Sequence, residues 1–368
     1  MLKSAAPIPS KPWTDLGCDP MDLIEVVGAT LRGENERLER WIGSHADASK
    51  VIEMLASRHR VGPYLKASLD GTGAWLALPE TARDRLLKSA RLQAVAAAEC
   101  VSHVAGLHAL LGRAGCPYLL LKGPELGIRF LGGAEARGYR DLDVLVREKD
   151  RKVVCRALEK AGYHRLSRFF LGATASALFN HAVDYSNQGR LLDLHWCVSR
   201  MPGLRIDTDG LFARSEPMDL GGTPVQVLSA GDELSVLLIS SFADIQRGYL
   251  RLQPFVDIVK VSAALPSGEW CGFFADRKKE GTDAICRSVL NLVLSLFSLR
   301  GHILGVDPHL PAQTTPREAL EVLLPSPRAQ KAKQWALPHL PVGPFHYLVW
   351  WAVSLPFRLA ASHPRFRR

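Results

Sequence analysis

The chain has 368 residues, 47% of them hydrophobic and 23% charged, with a formal net charge of +9 and a mean hydropathy of +0.01. That apolar fraction can fill the cores of two or three packed units, which excludes a disordered or low-complexity chain. The seven cysteines (Cys18, Cys100, Cys116, Cys155, Cys197, Cys271 and Cys286) are scattered and include no Cys-x-x-Cys pair. This spacing argues for reduced, mostly buried thiols and against a disulfide scaffold or a zinc site. The opening Met1-Leu2-Lys3-Ser4-Ala5-Ala6-Pro7 lacks an apolar h-region, so the expected location is the cytoplasm.

In chain order, residues 20–60 read as short helices, and Leu78 to Gly115 as one long helix opened near Pro79-Glu80-Thr81 and closed by Gly115. Strands and helices then interleave: strand 117–121, helix 124–131, strand 141–146, helix 149–161, and a hairpin over 183–196 that turns at Asn187-Gln188-Gly189. Beyond Gly203 the pattern is helical again. Val225 to Leu228 reads as a last strand, Ser229 as the N-cap of a helix through Ser241, and Leu252 to Ala264 as a further helix containing Asp257. The fold expected is α+β, a small mixed β-sheet core with flanking N- and C-terminal helical regions. Its divisions are a helical region 1–115, a core 116–200, a helical region 201–325 and a basic aromatic tail 326–368.

The chemistry-bearing residues lie in that core. Side chains on a strand alternate faces, so Asp141 and Asp143 project from one side while Leu142, Val144 and Val146 project from the other. Two carboxylates so placed can share a hard cation, and Asp193, on the second strand of the hairpin, would add a third. Lys122-Gly123 follows a buried strand, and Pro124 suits the first turn of the next helix. Gly123 would therefore allow close backbone approach to an anion, with Lys122 supplying a point charge. Arg137 and Arg140 flank the acid pair, either to steady phosphates or to balance the local negative charge. His195 shares a face with Asp193 and could orient it or contact a nucleotide. Each piece has an ordinary reading as a solvated strand end, a loop or a half-buried histidine; it is their joint order that points to a site.

Leu121-Lys122-Gly123, Arg137 with Asp141-Leu142-Asp143-Val144-Leu145-Val146, and Asp193-Leu194-His195-Trp196 resemble the nucleotidyltransferase superfamily that includes DNA polymerase β, and within it a bacterial family of uncharacterised nucleotidyltransferases. The resemblance spans roughly residues 85–265. It implies that Asp141, Asp143 and Asp193 bind two magnesium ions, with manganese as the alternative, and that Lys122-Gly123 occupies the phosphate-binding turn. The implied reaction moves a nucleoside monophosphate from a nucleoside triphosphate to a hydroxyl on an acceptor (small molecule, peptide or protein) and releases pyrophosphate. Arg140 stands where relatives often carry a small residue. Ser240 and Ser241 stand where they often carry histidines, so nothing those histidines do transfers to this chain.

The charge excess is C-terminal. After Glu321 there is no acid, while Arg328, Lys331, Lys333, Arg358, Arg365, Arg367 and Arg368 surround the aromatic segment Phe345 to Phe357. Through residues 335–368 that pattern suits docking on the enzyme or on a protein partner, or peripheral contact with an anionic membrane, more than it suits nucleic acid. Two other classes of function stand beside the enzyme: a non-catalytic nucleotide-binding scaffold, and a membrane-associated partner in a biosynthetic pathway. A degenerate scaffold would be expected to lack one of the three acids, and this chain has all of them.

Overall fold

The computed structural model describes residues 17–166, 181–247 and 251–324. The expectations for Met1 to Pro7 and for the tail 326–368 lie outside the described residues.

The N-terminal region is built of α1 (Pro20–Arg32), α2 (Asn35–Ser44), α3 (Ala48–Ser57), α4 (Gly62–Leu69), α5 (Gly73–Ala77) and α6 (Glu80–Arg113). Helix α1 starts where the Asp19 carboxylate accepts from the Met21 amide and Pro20 occupies the first turn. It stops at Gly33, whose φ of 71° closes the helix in the left-handed region. Helix α6 is long and apolar enough to cross a membrane by length and composition. One side of its C-terminal half carries Val104, Leu107 and Leu111, buried against the sheet, while Leu92 and Val95 earlier in the helix are exposed.

The middle of the chain forms β1 (Tyr118–Lys122), α7 (Pro124–Leu126), β2 (Asp141–Val146), α8 (Arg151–Lys160), β3 (His164–Arg165), β4 (Ala182–Asn187) and β5 (Arg190–His195). The helix expected over 124–131 is present in two parts, since α7 widens into a π-helical turn at Gly127–Leu131. Next come α9 (Thr208–Ala213), β6 (Glu216–Leu220), β7 (Thr223–Val227), α10 (Ala230–Arg247), α11 (Gln253–Ala264), α12 (Trp270–Glu280), α13 (Asp283–Leu296) and α14 (Pro316–Leu323). Ser229 does cap α10, accepting from the Asp232 amide at 3.2 Å.

All seven strands join one mixed sheet in the order β3-β4-β5-β2-β1-β7-β6, with β2/β5 and β1/β7 parallel and the other neighbours antiparallel. The sequence reading missed β6. It contains Pro217 and Asp219, both poor strand formers, and an edge position tolerates them because one side of the strand needs no partner.

Alternation along β1 and β2 divides the core in two. Leu120, Leu142, Val144 and Val146 face α6 and α8, whereas Leu119, Leu121 and Leu145 face a larger cluster shared by the N- and C-terminal helices. Burying a side chain such as Leu120 or Val144 contributes about 1.5–3 kcal/mol. The two helical regions thus close over the same sheet face, the one that carries the acids.

Candidate active site

The sheet register builds the site. The turn at Gln188 (φ 50°) and Gly189 (φ 85°) has positive φ at both central positions, as a two-residue hairpin requires, and Asn187 pairs with Arg190. Counting back from that turn puts Asp184 opposite Asp193, and the parallel β2/β5 pairing puts Asp193 opposite Asp143.

On β1 the ladder shifts between Leu120 and Lys122, so that Lys122, and not Leu121, stands opposite Asp143. Strict alternation would have turned Lys122 to the other face with Leu120. The irregularity re-aims it, as bulges beside active sites commonly do. One row across four strands therefore reads Asp184, Asp193, Asp143, Lys122.

Asp143 is the centre of this row and is 5% exposed. Its Oδ1 accepts from His195 Nε2 at 3.0 Å and lies 3.7 Å from Lys122 Nζ. Burial pushes the Asp143 pKa up, but the Lys122 ammonium and the His195 hydrogen bond outweigh it and hold the carboxyl below its usual range. Reciprocally, Asp143 raises the pKa of Lys122 and keeps the ammonium charged.

Asp193 is in the opposite situation. Burial, a hydrogen bond with Asp184 and the charges of Asp184, Asp143 and Asp141 push its pKa up to about 10. Such crowding of acids is what a divalent cation relieves. Asp143, Asp193 and His195 each offer a ligand atom, all within 4.8 Å of one another. The residues present therefore fit a metal. The set brought together is two aspartates and a histidine. Asp141 lies one turn of the alternation away on the same face, opposite Leu191.

His195 thus bonds Asp143, with Asp193 the more distant carboxylate at 3.9 Å. Arg137 is 7% exposed and gives its donors to Asp257, Nε at 3.0 Å and a terminal nitrogen at 2.9 Å. It therefore reaches the site through its charge, which lowers the Asp143 pKa. Asp257 also accepts from Gln253 Nε2 at 2.8 Å, so it is the paired helix acid of α11. Arg140 is exposed and adjoins Asp141 in sequence.

Two acids that sequence reasoning passed over lie behind the site. Glu125 and Glu233 are 0% exposed, and neither oxygen of either carboxyl has a hydrogen-bond partner on another residue. Glu125 sits under the phosphate-type turn, 3.2 Å from where a Cβ on Gly123 would be. Its burial raises its pKa from 4.5 to about 7. Folded Glu125 therefore keeps a proton that the unfolded chain releases, and the associated stability is complete below pH 4.5 and lost as pH rises through 7. The loss amounts to roughly 3 kcal/mol. Glu125→Gln, neutral throughout, should be more stable than the wild type at pH 8 and nearly equal at pH 4.5 in urea unfolding. A difference that does not change with pH would refute this account.

A mixed sheet carrying this row of acids and a lysine beside a strand-to-helix turn has the layout of a metal-assisted phosphate-transfer centre. The chain belongs to the uncharacterised nucleotidyltransferase family, whose model matches residues 44–298, more than half of its length. Among solved structures it is similar to the antibiotic-resistance factor ANT(2'')-Ia, described by its solution structure, with 12% identity and a TM-score of 0.36 over 50% of this chain and 92% of that one. No curated protein matches.

Proposed function

We propose that the chain transfers a nucleoside monophosphate from a nucleoside triphosphate to a hydroxyl-bearing acceptor, releasing pyrophosphate. The observation that carries this reading is the row Lys122–Asp143–Asp193, with Asp141 two residues upstream on the same face. Asp141, Asp143 and Asp193 would hold two divalent cations. Magnesium is the natural choice for carboxylate oxygens and phosphates, and manganese is the alternative. When bound, such ions acidify the acceptor hydroxyl and neutralise charge on the triphosphate.

The chain's own residues account for the rest. Lys122 keeps its charge beside Asp143 and is available to a phosphate oxygen, while Gly123 lets the backbone come close. Arg140, exposed next to Asp141, can meet a second phosphate oxygen in the two-pronged manner of a guanidinium. His195 fixes the Asp143 rotamer through its hydrogen bond, so one Asp143 oxygen is held and the other is left for a ligand. Asp193 lies toward the outer strands of the hairpin, on the side away from Lys122, which is where the acceptor hydroxyl would approach. The intact acid set favours an enzyme over a non-catalytic nucleotide-binding scaffold.

Calorimetric titration with each of the four nucleoside triphosphates, with and without magnesium, tests the reading. The wild type should bind at least one of them only with magnesium, and Asp141→Asn/Asp143→Asn should lose that binding. Equal binding by the variant would remove the acids from the site.

A further inference from the structure

A second cationic feature adjoins the acids and shares only Arg140 with the reading above. The segment Gly138-Tyr139-Arg140, which leads into β2, lies against α3, α4 and α6 and encloses a cleft of about 350 Å³. Arg60, Arg85, Lys88 and Arg140 line it together with Ser57 and Ser89, and no Asp or Glu is among its lining residues.

Of the four cations, Arg85 alone has a carboxylate partner among the described residues, Glu53 at 3.1 Å on the exposed side. Arg60 sits partly buried with no ion-pair partner among the described residues. Burial pushes its pKa down to about 10, and the neighbouring Arg251 and Arg140 charges push it further in the same direction. Asp141 is a nearby negative charge that offsets this only in part, so the cations still repel one another, and an anion bound between them relieves that repulsion. The walls are firm. A Cβ on Gly138 would lie 2.5 Å from the Arg60 carbonyl oxygen, so only glycine permits this approach, and the Tyr139 amide donates to Gln93 Oε1 at 3.3 Å.

We infer that this cleft binds a phosphate group of the acceptor, which makes the acceptor a phosphorylated molecule. The inference rests on the nucleotidyl-transfer reading. Guanidinium forks and serine hydroxyls match the oxygens of a phosphate monoester, and four cations suit a dianion. Lys122, Gly123, Asp143 and Asp193 are not part of the cleft. The nucleotide's phosphates belong at the Lys122-Gly123 turn, so the cleft is left for the second substrate. Arg140 lines the cleft and adjoins Asp141 in sequence, so a phosphate held there brings the rest of the acceptor toward the acid row.

The test uses the full chain and inorganic phosphate as probe, with binding read from phosphorus NMR line broadening, alone and with a saturating magnesium nucleotide. The nucleotide is the best binder of the four, and its own affinity is measured in the same samples. Lys88→Glu changes an exposed helix position and Arg60→Gln a half-buried one, so failure of one variant to fold leaves the other. Phosphate should remain bound beside the nucleotide. Each substitution should weaken phosphate by at least about tenfold and leave nucleotide affinity within about twofold. If the nucleotide displaces phosphate and the substitutions weaken both alike, the cleft serves the nucleotide's own phosphates and the inference fails. It also fails if the wild type binds no phosphate or neither substitution matters. Phosphate binding that persists in a chain binding no nucleotide would uphold the anion cleft and count against nucleotidyl transfer instead.

Discussion

Asp143→Asn should lower divalent-cation-dependent pyrophosphate release by at least about a thousandfold, because it removes the carboxylate that His195 bonds and that stands between Lys122 and Asp193 in the row. Asn keeps the shape and one acceptor oxygen, so His195 Nε2 can still donate at 3.0 Å. What disappears is the negative charge opposite Lys122 and Asp193, and with it the hard ligand between them. Lys122 also loses the group that does most to raise its pKa. The readout is initial rate against magnesium concentration, with thermal unfolding as the control for a folded variant. A rate within about tenfold of the wild type at saturating magnesium would remove Asp143 from its central role.

Much of this site was legible from strand alternation and turn chemistry alone. Asp141 and Asp143 share a face because they are two residues apart on β2, and the Gln188-Gly189 turn fixes the hairpin pairing by count. That same count also specified Asp184 opposite Asp193. The partner of the third acid was therefore available from the sequence and was not drawn out, since Asp184 lies in no motif.

Two features were not legible. Alternation places Lys122 on the wrong face of β1, and only the irregularity between Leu120 and Lys122, set by how β1 fits β2, turns it to the acids. Nor did spacing reveal that Arg137 would meet Asp257, 120 residues further on, or that α3, α4 and α6 would bring Arg60 and Lys88 beside Arg140. Such contacts come from packing of the helical regions onto the sheet, and local periodicity carries no record of them.

The Arg137–Asp257 pair is where that packing is most exposed to mutation. Asp257 is 0% exposed, and the Arg137 side chain has 8% of its area in solvent. Two charges so deeply buried are tolerable only together, since the attraction between them offsets the cost of leaving water. Asp257→Ala leaves the guanidinium buried without its carboxylate and Gln253 Nε2 without its acceptor. The expected loss is about 3–5 kcal/mol, enough to unfold a chain of ordinary stability near 37 °C. Because α11 and the segment leading into β2 are joined by this pair, the loss should extend to the site, with weakened nucleotide binding even where the variant remains folded. Arg137→Met/Asp257→Leu, which removes both charges, should recover most of the stability but not the positive charge that lowers the Asp143 pKa. Urea unfolding of the single and double variants measures the coupling. If Asp257→Ala costs less than about 1 kcal/mol, the pair does not hold the helical layer to the sheet.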